Sequence, residues 1–346
     1  MRKYKYLTIF LLPLTVWVAF HQVGWLTFIP LFVFFIAVPL LELIVPKDRY
    51  NLNESEIEEA KNDPFYQILM YTLVPVQIFF LLYFLNLPFP EGDTLTLVGR
   101  VFSMGIMCGV IGINLGHELG HRHNTWELFL GEILMLTSLE NHFIPYHNRG
   151  HHFQVATRQD PATARKGEWL YVFWFRSQIG SYIQAWKIEM KRMKIMQLPS
   201  LHWKNKMVIY TLVHALLLAS IYAFFGFTGL LSFLAAALIG ILLLETVNYI
   251  EHYGLLRQQD EKGVFERVKR KHSWNSNHFI GRALLFELSR HSDHHYKADK
   301  PYQVLASYED APQMPTGYPG MMVLALFPPL FFSIVHPHMS RSAQLA

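Results

Sequence analysis

Only one cysteine occurs in the 346 residues, Cys108, and it lies inside an apolar run. The chain therefore has no disulfide framework, no thiolate zinc site and no iron–sulfur cluster of its own. Charge is sparse as well: Asp, Glu, Lys and Arg make up 16% of the residues, and the formal balance is only +4. The basic residues flank apolar spans and form no aromatic-interleaved patch, which argues against nucleic acid as a partner. A Gly-rich dinucleotide fingerprint is missing, and neither haem nor flavin is expected on this chain. No convincing strand pattern, internal repeat or low-complexity tract appears. After MRKYKY, the run LLPLTVWVAFHQVGW offers no clear small-residue cleavage site, so it reads as a retained span.

What is abundant is apolar and aromatic: 52% hydrophobic residues and 15% Phe, Trp and Tyr. Such a chain reads as a single all-α integral membrane domain over residues 1–346, because lipid offers no partner to unpaired backbone groups. A bilayer is crossed by ~20 apolar residues in a helix. Six such runs are expected, at 7–20, 25–45, 65–85, 95–115, 207–225 and 230–248, paired as three hairpins. Their turns lie at Gln22–Gly24, in the acidic loop Pro88–Asp93 and at Gly226–Gly229. Lys and Arg gather on the other side, apart from Arg100 near the outer end of its span. This predicts cytoplasmic termini and cytoplasmic histidine clusters in a cell inner membrane. The shorter apolar stretch Met321–Val335, broken by Pro328 and Pro329, is expected to be interfacial or buried.

Histidine is the residue that carries chemistry. NLGHELGHRH contains His117 and His121, YHNRGHH contains His147, His151 and His152, NYIEHYGL contains His252, and RHSDHH contains His291, His294 and His295. Helical positions i and i+4 share a face, which predicts that His117 points beside His121 and His147 beside His151. HELGH also fits a zinc-protease helix in which Glu118 would be the base. A mononuclear protease, however, leaves most of these nine imidazoles without a role. Nor do soluble di-iron bundles fit, since they repeat Glu-x-x-His and Glu118 with His121 is the only such pair. Two metals held mainly by nitrogen, economically two irons, account for the number of rings.

HELGHR, HNRGHHFQVATRQDPATAR, NYIEHYGL, HSWNSNH, SRHSDHH, PYQVL and PQMPTGY together resemble the integral-membrane alkane hydroxylases, which are related more distantly to membrane fatty-acyl desaturases and hydroxylases. The resemblance implies a di-iron monooxygenase with six spanning helices, whose ligands map onto His117, His121, His147, His151, His152, His252, His291, His294 and His295. It also implies terminal hydroxylation of an alkane by dioxygen, with electrons from a rubredoxin and its flavoprotein reductase, and no catalytic side chain beyond the ligands. This chain has Tyr146 where the family usually has a glutamate. The nearest alternatives are a fatty-acyl desaturase or hydroxylase and a xylene-type monooxygenase. A zinc protease and a metal transporter or sensor are more remote.

Ligating histidines usually donate their second N–H to a carboxylate or carbonyl. Glu118, Asp160, Asn248, Glu251 and Asp293 lie close enough in sequence for such support, and His272 and His278 belong to the shared polar loop. Direct ligation is not expected of His123 or His142, which lie at the wrong phase, and His214 falls within a span. His21, His202, His336 and His338 read as interface or surface residues. Ile106, Val110 and Ile113 share the helix face above His117 and are the candidate walls of a substrate channel.

Overall fold

The computed structural model describes residues 2–88 and 92–344, so the expected acidic loop at Pro88–Asp93 lies partly outside the described residues. Among the described residues the secondary structure is helical, and β-pairing is limited to isolated bridges. By length and composition, four helices can cross a membrane: α2 (Gly24–Glu42), α4 (Phe65–Asn86), α5 (Thr94–Gly120) and α9 (Lys206–His252). Ahead of them, α1 (residues 2–20) winds as a 3-10 helix through Phe10 and as an α-helix from Leu11 to Phe20. The short helices are α3 (Glu54–Asn62), α6 (Thr125–Leu136), α7 (residues 143–154), α10 (Phe279–Leu284) and α11 (His291–Tyr296). Helix α8 (Leu170–Ile195) is longer, and α12 (Tyr318–Ala325) and α13 (Pro328–Gln344) close the chain.

Helix α9 has 47 residues. Straight, it would extend ~70 Å, more than twice the ~30 Å hydrocarbon core. Gly226 interrupts it at φ 68° and ψ −170°, a conformation that an L side chain resists. Lys206 and Tyr210 at its start bond to Glu132, which shares a groove with His121. His252 at its end packs on His151 and His291. Both ends therefore return to the histidine region. The expected third hairpin is present, but its turn is one glycine rather than the loop Gly226–Gly229, because helix resumes directly after Gly226.

Glycine also brings α5 and α9 together. A Cβ on Gly105 would lie 2.5 Å from the Ile239 Cβ, and one on Gly240 would lie 2.8 Å from the Cys108 Cβ. Close backbone approach of this kind lets dispersion hold helices together in lipid, where apolar transfer contributes little. Arg100 bonds to the carbonyl of Pro88, 3.1 Å away. The 321–335 stretch is buried on one side only: Met321, Phe331 and Val335 pack with Tyr249, Tyr253 and Phe173 beneath the last turns of α9, while Leu326, Phe327 and Leu330 are exposed.

The α-helical ladder changes pitch at two places near the histidines. Cys108–Leu115 in α5 and His147–His151 in α7 are π-helical. Insertions of this type re-aim side chains by stacking i over i+5, and they occur often at functional sites.

Candidate metal centre

Helix α5 supplies His117 and His121, α7 supplies His147, His151 and His152, α9 ends on His252, and α11 supplies His291, His294 and His295. Eight of these nine rings form two sets, His117, His121, His147 and His294 in one and His151, His252, His291 and His295 in the other, each with ligand atoms within 4.8 Å of one another. His152 joins the first set, its Nε2 lying 2.9 Å from that of His147 and 3.4 Å from that of His121. In the same set, His117 Nε2 lies 2.9 Å from His147 Nε2 and 3.0 Å from His121 Nε2. In the second set, His151 Nε2 lies 3.2 Å from His295 Nε2, and His291 Nε2 lies 3.1 Å from His252 Nε2. The sets adjoin, with the His152 and His295 ring centroids 4.6 Å apart.

His147 does lie beside His151, as the helical spacing predicts, but the two do not converge on one set. Their rings stack at 5.1 Å, and His147 meets His152 instead. The π turn over His147–His151 is the reason, because it aligns i with i+5. In α11, His291 and His295 share one set while His294 crosses to the other.

These contacts suit a shared cation better than reciprocal hydrogen bonding. Nitrogens held ~2.0–2.1 Å from one ion at octahedral to tetrahedral angles sit roughly 2.9–3.4 Å apart. Two facing imidazole nitrogens can share at most one proton, and the buried Nε2 of His294 has no hydrogen-bond partner. Burial first, and neighbouring rings second, hold His147, His152, His291 and His295 well below the ordinary imidazole range. His294 is lowered to about 3 by burial and by His151. These five rings are thus in the neutral form that binds metal. The donor set fits a pair of imidazole-bound transition metals.

Of the suggested supports, Asp160 lies directly behind a ring. Its Oδ2 is 2.9 Å from His151 Nδ1 and accepts from Thr163 Oγ1 at 2.7 Å, while Oδ1 accepts from Tyr146 at 2.6 Å. Burial pushes this carboxyl up, but His151, Tyr146 and Thr163 outweigh it and bring it down to about 2. Tyr146 is therefore part of the cradle that aims His151. Glu251 takes a different position: one oxygen accepts from Tyr318 at 2.9 Å, and the other lies 3.2 Å from His291 Nε2, on the edge facing His252. Sequence reasoning missed Thr163 and Tyr318, although both fall in stretches, DPATAR and PQMPTGY, that carry the resemblance.

Four suggested supports contact no histidine of either set. Glu118 Oε1 accepts from Arg122 and from the Tyr302 amide. Asp293 holds Lys300 and the Ala306 amide. His272 bonds to Glu266 and the Lys269 amide, and His278 to Ser276. Each is drawn away by a nearer partner on its own loop or on the 300–306 strap. Asn248 bonds to Glu245 at 3.4 Å and faces the cavity described below. Among the other histidines, His142 bonds to Ser181, His214 to Asn141, and His123 is exposed.

A family model described as fatty acid desaturase matches residues 94–325. The chain is 38% identical to alkane 1-monooxygenase 2 of Pseudomonas aeruginosa, over 87% of this chain and 80% of that protein. It is 37% identical to alkane 1-monooxygenase 1 of the same organism, over 97% and 90%. With alkane 1-monooxygenase 2 of Alcanivorax borkumensis the identity is 36%, over 97% and 91%. The chain belongs to the alkane 1-monooxygenase family. It is a monooxygenase, an enzyme of the oxidoreductase class.

In this alkane 1-monooxygenase family member, a narrow apolar cavity leads to the histidines. Ile106, Val110 and Ile113 line it, as do Leu12 of α1, Phe34 of α2 and Leu243 of α9. At its inner end stand His117, His147, His291 and Glu251, so the slot reaches rings of both sets. Gly109 and Asn114 line it too. From Ile106 these are the i+3 and i+8 positions, so they share one helix face with Val110 and Ile113.

Proposed function

We propose that the chain hydroxylates the terminal carbon of alkanes to 1-alcohols, consuming one dioxygen, two electrons and two protons per alkane and releasing one water. The observation that carries this reading is the slot: an almost wholly apolar wall ending on rings of both histidine sets. Such a passage accepts an unfunctionalised chain end first, and besides the histidines its only polar side chains are Asn114, Asn248 and Glu251. The nine histidines would hold two irons, His117, His121, His147, His152 and His294 around one and His151, His252, His291 and His295 around the other. When bound, the irons supply the dioxygen chemistry that no side chain can provide. The protein's own part is to hold the rings neutral, to aim His151 through Asp160, to exclude water and to point the terminal methyl inward.

Six crossings of the inner membrane fit the same reading. The four apolar helices become six when the bend at Gly226 is counted as a hairpin and α1 as a span. Nine residues of 3-10 winding and ten of α-helix give α1 a reach of ~33 Å. The termini and both histidine sets then lie on the cytoplasmic side, where Lys and Arg are concentrated. Electrons come from a separate rubredoxin and its reductase. The test is iron-loaded protein in nanodiscs with NADH, reductase, rubredoxin, labelled dioxygen and an alkane series. 1-Alcohols carrying one labelled oxygen are expected. Alkenes, or alcohols without label, would overturn the reading.

A further inference from the structure

Helix α8 is not apolar enough to span, yet one side of it is strongly apolar. Its inward face, Leu170, Phe173, Ser177, Ser181, Ala185 and Met193, is buried against the protein. The opposite face presents Val172 (60% exposed), Phe175 (72%), Ile179 (58%), Ile183 (47%) and Met190 (39%), with Trp186 half-buried between them. These positions recur at helical three- and four-residue steps and form one continuous stripe. Exposed Lys187, Lys191 and Lys194 run along its flank at the C-terminal end. A stripe of this size facing water would be an aggregation liability.

Where α8 is anchored settles its direction. Near its start, Trp174 Nε1 donates to Thr246 Oγ1 at 3.0 Å, and Phe173 packs on Tyr249, both within two turns of the end of α9. Near its other end, Glu189 accepts from the backbone amide of Lys206, the first residue of α9, at 2.9 Å. The two ends of the α9 hairpin lie on the same side of the bundle. A helix of 26 residues, ~39 Å long, that joins them runs across the hairpin's legs and not along them. Helix α9, which it crosses, is also apolar and exposed, with Leu212, Leu216 and Leu238 at 66%, 68% and 53%.

We propose that α8 is an in-plane membrane helix, with its Val172-to-Met190 stripe immersed at the cytoplasmic interface and Lys187, Lys191 and Lys194 seated on anionic lipid headgroups. Basic amphipathic helices with aromatic residues on the immersed side bind bilayers in this way. The second histidine cluster rides on this helix: Ser181 meets His142 at 3.2 Å, Glu189 meets Arg149 at 3.3 Å, and a Cβ on Gly150 would lie 3.1 Å from Ile188. The bilayer surface thus supports the turn that carries His147, His151 and His152.

The inference rests on the six-span reading, and its test separates the two. With Cys108 fully buried, single cysteines can be spin-labelled selectively. Labels at Phe175→Cys, Ile179→Cys and Ile183→Cys, and at Leu216→Cys in a span, would be measured in full-length protein in phosphatidylglycerol and phosphatidylcholine nanodiscs. At all four sites, oxygen accessibility should exceed that of a water-soluble nickel chelate. Exchanging Lys187, Lys191 and Lys194 for Gln should remove any difference between the two lipids in label depth. A lipid-like label at Leu216→Cys with water-like labels on α8 would overturn this inference alone. A water-like label at Leu216→Cys would overturn the span reading. Stripe labels whose spin–spin broadening vanishes on dilution with unlabelled protein would assign the face to a second copy and overturn the lipid assignment.

Discussion

Replacing Asp160 by asparagine isolates what one carboxylate does for one metal. Asp160 is 1% exposed and accepts hydrogen bonds from three side chains, those of His151, Tyr146 and Thr163. Alanine would strand all three donors in the interior, at ~1–3 kcal/mol each, and folding itself would suffer. Asparagine keeps the shape and can still offer one oxygen to His151 Nδ1, but the negative charge that raises the ring's basicity is gone. Loss of such a support typically costs ~10–100-fold in metal affinity, or about 1.4–2.7 kcal/mol. Because His151 belongs to the set with His252, His291 and His295, the loss should fall on one of two metals. Iron content followed by elemental analysis during dialysis against graded chelator should show one iron leaving early and the other leaving as in wild type. Tyr146→Phe, which removes one bond and no charge, should shift the same step by less. If Asp160→Asn keeps both irons with wild-type affinity, the carboxylate does not tune the ligand it touches.

Other expectations follow from the same geometry. His147→Ala and His252→Ala should each empty mainly a different site, and both should abolish alcohol formation, whereas His202→Ala should change neither iron content nor product; equal loss of both metals in each cluster variant would contradict the partition. Val110→Phe should shorten the longest alkane accepted and Ile106→Phe should affect only longer ones, as read by gas chromatography of product alcohols with iron content checked against overpacking; an unchanged profile in iron-replete variants would show that substrate does not run along α5. Acidification should destabilise the metal-free protein. Burial lowers His142 from 6.5 to about 3, so the unfolded chain takes up a proton that the folded one refuses as pH falls through that window. Stability is therefore full above pH ~6.5, and this residue alone removes about 2 kcal/mol by pH 5. Thermal midpoints of His142→Gln and wild type, compared between pH 7 and pH 5, should converge at the lower pH, and parallel curves would refute the linkage.

Much of this molecule is written in short-range pattern. The apolar runs that become α2, α4, α5 and the two legs of α9 are visible as runs, because crossing a bilayer depends on length and hydropathy within one segment. The nine histidines are visible as well, because their boxes are local. Other features exceed what local spacing expresses. Nothing in YHNRGHH announces the π turn that sends His147 and His152 one way and His151 the other. The partners that draw Glu118 and Asp293 away from the rings lie on a strap whose path is set by folding.

The sequence by itself determined that this chain is an apolar helical protein with nine histidines gathered in four short clusters, since both properties reside in windows of a few turns. Only the tertiary structure decided how those histidines divide, which carboxylate stands behind His151 and which helices wall the slot. The physical reason is separation along the chain. The contact between His151 and His295 joins residues 144 positions apart, and the slot takes its walls from α1, α2, α5 and α9 together. Such juxtapositions are set by how helices pack, through close approaches like that of Gly105 to Ile239, and no single segment carries the information.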